Sequence, residues 1–280
     1  MPEICTISKV LGTDMNIVWL NGEIRPAEQA ALSPLDRGVT LGDGLFETLR
    51  IKNSVAQNFC WHYQRLCDGG QVLSIPVPDQ DKILQAMQEF LAHAGFQHGS
   101  ARLTVTRGIA PRGLLPPEHC QPTVFITGAA GGFRQQPVRV CVSQLVRRDE
   151  MSPLSRIKSL SCLPGIIARQ EAAQCGADDA LLLNMQGRIA ESTISNIVVQ
   201  AGVRLITPPV SEGVLPGIAR RALLEAGLVK EQPVTYEDIL TAEGVFLINS
   251  LSLRVVTHLN EKSIQHHSAI YEKLREILDK

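Results

Sequence analysis

The run Gly128-Ala129-Ala130-Gly131-Gly132 interrupts the pattern of this chain near its middle, and it divides what can fold on either side. Before it, residues 17–20 and 23–25 flank Asn21-Gly22, a dipeptide suited to a tight hairpin. Phe46 to Ile51 and Val55 to Phe59, around polar Lys52-Asn53-Ser54, predict a second hairpin. From Asp79 to His93 the residues Ile83, Leu84, Met87, Phe90 and Leu91 recur at helical spacing, with Gly95 just past the end. Arg102 to Arg107 and Thr123 to Thr127 read as strands around a long Gly/Pro loop. Beyond the glycines, strands are expected near 138–144, 180–184, 194–199, 203–206 and 245–249, and helices near 165–175, 217–226 and 268–278. Regular βαβ alternation is missing, so the expectation is α+β rather than a doubly wound sheet. A small α/β domain over residues 1–128 and a larger domain over 133–280 follow, with the glycine-rich run as linker.

A chain of 280 residues can build one large core or two modest ones. With 44% hydrophobic and 20% charged residues, the composition is that of a soluble globular protein. A formal net charge of −1 argues against a general nucleic-acid partner, which calls for a basic surplus. No apolar run approaches the ~18 residues of a membrane span. The start, Met1-Pro2-Glu3-Ile4-Cys5, does not read as a signal peptide. Cysteines 5, 60, 67, 120, 141, 162 and 175 are scattered, with no Cys-x-x-Cys pair, as expected of reduced thiols in the cytoplasm. The histidines show no helix-spaced pair, and adjacent His266 and His267 cannot share a helix face, so no metal site is expected.

Two residues point to chemistry. Lys158 lies between apolar Ile157 and Leu160, and desolvation favours the neutral, nucleophilic form of an amine. Glu191, in Ile189-Ala190-Glu191-Ser192-Thr193-Ile194-Ser195-Asn196, offers a carboxylate. A lysine that forms a Schiff base and an acid that keeps a ring nitrogen protonated are the two groups a pyridoxal phosphate enzyme requires. Alone the pair is weak, since most lysines are solvated surface groups. Leu215-Pro216-Gly217-Ile218-Ala219-Arg220 opens an apolar run ending at Gly227, and a helix start there offers free amides to an anion. Pro-Gly before a helix is usually no more than a helix start.

Five blocks in order carry a family resemblance. They are Leu35-Asp36-Arg37-Gly38 through Thr48-Leu49-Arg50, His62-Tyr63-Gln64-Arg65-Leu66, the Lys158 and Glu191 segments, and Leu215 to Arg220. Together they span most of the chain, and it resembles the class IV aminotransferases, the fold-type IV pyridoxal phosphate enzymes. The resemblance implies a small N-terminal domain, a larger barrel-like C-terminal domain, pyridoxal 5'-phosphate between them, and a homodimer. It makes Lys158 the cofactor lysine and the catalytic residue, and Glu191 the partner of the pyridine nitrogen. The phosphate falls to Arg65, to Gly217 and the amides of Ile218 and Ala219, and to Ser250. Where Ala219 stands the family often has a hydroxyl, so that side-chain bond is missing here. By itself Arg65, in the amphipathic stretch Trp61 to Leu73, reads as a surface arginine.

For a small carboxylate substrate the resemblance offers Arg112, which can equally be a solvated loop charge, and Val39, Thr40 and Asn249. D-amino acid enzymes have a histidine where this chain has Leu114 and a tyrosine where it has Val39. Asn249-Ser250-Leu251, Arg112-Gly113 and Leu163 are similar to aminodeoxychorismate lyases, although D-amino acid enzymes share that leucine, and Ser161 stands where many lyases have asparagine. The expected reaction is therefore release of pyruvate and p-aminobenzoate from aminodeoxychorismate. Transamination of D-amino or branched-chain amino acids is the alternative. A non-catalytic cofactor-binding protein is disfavoured by the presence of both Lys158 and Glu191.

Overall fold

The computed structural model describes residues 17–265 and 268–279. The N-terminal segment, Cys5 and the His266-His267 pair, all used above, lie outside the described residues. The chain forms two compact units. One takes the chain up to Gly132 together with Lys158–Leu160, and the other takes Phe133–Ile157 and continues from Ser161.

In the first unit, Asn21 and Gly22 turn the chain with φ of 48° and 98° between β1 (Ile17–Leu20) and β2 (Glu23–Pro26), as the dipeptide predicts. Asn53 and Ser54, both left-handed, close a second hairpin between β3 (Gly44–Lys52) and β4 (Val55–Ala56). The expected second strand of that hairpin was too long. After left-handed Asn58, Phe59 opens helix α2 (Phe59–Leu73), since α1 is Arg37–Leu41. His62, Arg65, Leu66, Gly69 and Gly70 recur on one buried face there, and helical packing of that face outweighs the strand preference of Phe59. Helix α3 (Gln80–Ala94) buries Ile83, Ala86, Met87, Phe90 and Leu91 and ends at left-handed Gly95.

β5 (Gly99–Thr106) pairs along its whole length with β6 (Thr123–Ala130), out to Gly99↔Ala130. Gly128 to Ala130 are therefore strand and not linker, because β5 supplies a backbone partner for each. The sheet runs β2-β1-β6-β5-β3-β4 and is antiparallel throughout.

The second unit is built on a nine-stranded mixed sheet. Its strands are β7 (Val138–Arg148), β8 (Asp179–Asn184), β9 (Ile189–Ser192), β10 (Asn196–Ala201), β11 (Arg204–Thr207), β12 (Lys230–Glu231), β13 (Gly244–Asn249), β14 (Ser252–Leu259) and β15 (Lys262–Ser263). The order is β12-β11-β10-β13-β14-β7-β8-β9, with β15 on β14. The two ends meet: Ile189 of β9 donates its N–H to the carbonyl of Val234, just beyond β12, at 2.8 Å. The sheet thus curls toward a barrel, as expected of the larger unit.

Strand pleating sends alternate residues to opposite faces. Val245 and Leu247 of β13 join Val138, Val140, Ile197, Val199 and Val256 inside the curl. Phe246 and Ile248 of the same strand pack outward, with Leu223 of α5 (Ile218–Glu225) and Leu274 of α7 (Ser268–Leu278). Helix α4 (Leu163–Gln174) covers another part of the outer face through Ala168 and Ala172, against Cys141 and Ala180. Ile239 of α6 (Tyr236–Leu240) enters the inner cluster.

Candidate active site

The Lys158 segment is attached to β3. Phe46 donates its N–H to the Lys158 carbonyl at 3.0 Å, and Leu160 donates to the Gly44 carbonyl at 2.9 Å. The half-buried Lys158 amine lies 4.4 Å from the centroid of the Phe46 ring, and the Arg102 guanidinium lies over that ring at 3.6 Å.

One residue along β3, Glu47 occupies a core position in line with Leu45, Leu49 and Ile51 and is 1% exposed. Arg65 donates from Nε at 2.8 Å and from Nη2 at 2.6 Å to its two oxygens, and His62 Nδ1 lies 2.6 Å from Oε2. Arg65 is itself only 8% exposed, so the surface reading of this arginine is overturned. Burial pushes the Glu47 carboxyl up, but the Arg65 charge and hydrogen bonds outweigh it and bring the carboxyl down to about 2. His62 is pushed down, mainly by burial, against the pull of Glu47. The group is therefore an ionised carboxylate, a guanidinium and a neutral imidazole that donates from Nδ1. Sequence reasoning missed Glu47, although a carboxylate on the apolar face of an alternating strand is a visible signal.

The exposed α1 side chains include Val39 and Thr40, and Arg112 and Leu114 are exposed on the loop between β5 and β6. Asp36 caps α1 by accepting from the Gly38 N–H at 2.7 Å, and it also accepts from the hydroxyls of Thr106 and Thr123.

In the second unit Glu191 sits on β9 at 7% exposure. Its Oε1 pairs with Arg148 Nη2 at 3.0 Å, while Oε2 accepts from the Leu215 N–H at 3.1 Å and Asn196 Nδ2 at 3.3 Å. Arg148 is fixed in turn by the carbonyls of Gly213 and Ser155. Arg148 is thus the cationic partner of the Glu191 carboxylate, and two N–H donors complete its hydrogen bonds. Asn196 also donates to the Leu215 carbonyl at 3.0 Å, and its Oδ1 lies 1.9 Å from where a Cβ on Gly217 would sit. A side chain at that position would force the Asn196 amide to move. Gly217 is the N-cap of α5, no side chain caps that helix, and Ile218 and Ala219 are buried in its first turn. The Ala219 methyl belongs to the outer core cluster. Arg148 and Asn196 carried no sequence signal, because their partners come from distant segments.

Asn249 ties the turn between β13 and β14 to residues 194 and 195. It donates to Ser195 Oγ at 2.9 Å and to the Ile194 carbonyl at 3.4 Å, and its Oδ1 accepts from Leu251 N–H and Ser252 Oγ. Ser250 is half-buried in that turn. Among the described residues no group of three His, Cys, Asp or Glu side chains is arranged to hold a metal.

The family model for amino-transferase class IV matches residues 44–259. The chain belongs to that family. A Bacillus subtilis aminodeoxychorismate lyase is 28% identical over 244 residues, covering 84% of this chain and 83% of the relative. A Bacillus licheniformis D-alanine aminotransferase is 30% identical over 246 residues, covering 83% and 84%. Among solved structures, the Escherichia coli branched-chain amino acid aminotransferase superposes with a TM-score of 0.87 at 22% identity, covering 94% of this chain and 93% of that one, which establishes the fold. As a class IV member the protein is a pyridoxal-phosphate-dependent enzyme. Each unit holds groups of the kinds this cofactor needs: a half-buried amine at Lys158 in the first, and in the second a hydrogen-bonded carboxylate at Glu191 and the uncapped start of α5 at Gly217.

Proposed function

We propose that this class IV enzyme is an aminodeoxychorismate lyase, releasing pyruvate and p-aminobenzoate from 4-amino-4-deoxychorismate. The observation that carries the reading is the Asn249-Ser250-Leu251 turn, in which Asn249 Oδ1 accepts from the Leu251 N–H and the Ser252 hydroxyl. Exposed Leu114 and Val39, which bring no polar group where D-amino acid enzymes use one, support it.

In this reading Lys158 binds the cofactor, Glu191 holds its ring nitrogen, and Arg65, Gly217, Ile218, Ala219 and Ser250 hold its phosphate. Bound in this way, pyridoxal phosphate supplies the electron sink for breaking a bond at the carbon bearing the amine. Lys158 Nζ takes the ring proton beside the substrate amine and returns a proton to the departing enolpyruvyl group, which leaves as pyruvate. Loss of that proton and that group makes the remaining ring aromatic. Glu47 fixes Arg65 so that its planar guanidinium meets an anion without reorganising. Arg112 pairs with a substrate carboxylate, and Val39 and Thr40 line its approach. Asn249 acts through the turn it braces.

We further propose a cytoplasmic homodimer. The free thiols at Cys60, Cys67, Cys120, Cys141, Cys162 and Cys175 support a reducing compartment, and Leu163, Ile166 and Ile167, exposed along α4, support a second copy against that face.

The second reading is transamination, which the D-alanine aminotransferase relative favours. Adding D- or L-alanine to the holoenzyme without a keto acid separates the two. The lyase reading expects the visible band of lysine-bound cofactor to persist, and rapid bleaching by either amino acid would overturn it.

A further inference from the structure

We propose that Arg37, together with Asp43 and Arg107, is a bracket that sets the position of the Arg112 loop, making Arg37 a positioning residue for the substrate carboxylate. The proposal deepens the reading of Arg112 as carboxylate clamp and rests on it. Arg37 is 4% exposed although it is charged. Its Nη1 donates to the Gly113 carbonyl at 2.7 Å and its Nη2 to the Leu114 carbonyl at 2.9 Å, the carbonyls of the two residues directly after Arg112. Its Nε donates to Asp43 Oδ2 at 2.7 Å. Asp43 also accepts from Arg107 Nε at 2.6 Å and Nη2 at 3.1 Å. Arg107 in turn donates to the carbonyls of Leu73 and Ser74 at the end of α2. A chain of directed bonds therefore runs from the end of α2 to the far side of the loop.

The base of the loop is fixed separately. Arg37 N–H donates to the Gly108 carbonyl at 2.9 Å, and Gly108 has φ of +88° with a Cβ position 1.9 Å from the Gln121 carbonyl oxygen. That neck admits glycine only. The bracket places two buried guanidinium groups on one carboxylate, a desolvation cost that neutral groups would avoid. What the cost secures is a defined backbone at Gly113 and Leu114 on a loop where residues 112–114 are otherwise exposed. A guanidinium can serve three acceptors in one plane, whereas a lysine in its place cannot. Burial pushes the Asp43 carboxyl up, but the hydrogen bonds from Arg107 and Arg37 outweigh it and hold the group charged.

The test uses the holoenzyme of Arg37→Met, Arg37→Lys, Arg112→Ala and the Arg37→Met/Arg112→Ala double variant. Hydrogen–deuterium exchange is followed over residues 109–117, and KM and kcat are measured with aminodeoxychorismate. In Arg37→Met, exchange in that loop should quicken by about tenfold while β3 keeps its protection. KM should rise about tenfold and kcat change less, with Arg37→Lys between the two. The KM effect of Arg37→Met should vanish in the Arg112→Ala background, since both act on one contact. Unchanged loop exchange in both Arg37 variants, or KM effects that multiply in the double variant, would overturn the bracket. If Arg37→Met does not fold, Arg37→Lys carries the exchange test. Quickened exchange together with an unchanged KM in Arg112→Ala would retain the bracket and discard the reading of Arg112 as clamp.

Discussion

At Glu47 a carboxylate survives at 1% exposure because Arg65 and His62 supply its hydrogen bonds. Its pKa is held at about 2, below the ordinary value of 4.5, so the ionised form favours the folded state. That contribution is fully present above about pH 4.5 and is lost as pH falls toward 2. Glu47→Gln should cost about 3 kcal/mol at pH 7, because it leaves a buried guanidinium without its counter-charge. The cost should shrink by pH 3. Urea unfolding at the two pH values checks this, and an equal loss at both would contradict it. Lys158→Ala should remove the visible cofactor band after dialysis, and a borohydride-reducible adduct at another lysine would reassign the role. Lys158 and Glu191 were legible as residues because each lies in a recognisable block. Glu47 also stood in such a block, and its place on the apolar face of β3 was readable from the alternation; its partners Arg65 and His62 come from α2 and were not.

Among the elements, those with strong local signals were legible. Asn21-Gly22 dictates its turn whatever surrounds it, and α3 has a clean apolar stripe with a glycine stop. β9 and β14 were not anticipated. β9 has four residues, all buried, and β14 buries Leu253, Val255, Val256 and Leu259 on both of its faces, so neither alternates clearly. The start of α5 joins two candidate residues through Asn196, which bonds Glu191 and lies against Gly217. Gly217→Ala should force Asn196 aside and disturb both groups. The Kd for pyridoxal phosphate should rise by about tenfold or more, the loss of one or two charge-assisted bonds. A titration giving an unchanged Kd would show that the phosphate is held elsewhere.

At the scale of the whole molecule, the expected combination of an α/β first part and a larger curled mixed sheet matches the fold seen in the Escherichia coli aminotransferase. The fold does not select the reaction, because relatives named for lyase and for D-alanine aminotransferase activity share it at similar identity. In the proposed reading, selection falls to a few side chains on the β5–β6 loop, on α1 and in the turn after β13. The most direct measurement is a steady-state assay of the purified holoenzyme with aminodeoxychorismate, beside a panel of L- and D-amino acids with 2-oxoglutarate or pyruvate. The account predicts p-aminobenzoate and pyruvate in equal amounts, with amino-group transfer slow or absent. Rapid amino-group transfer without release of p-aminobenzoate would contradict it.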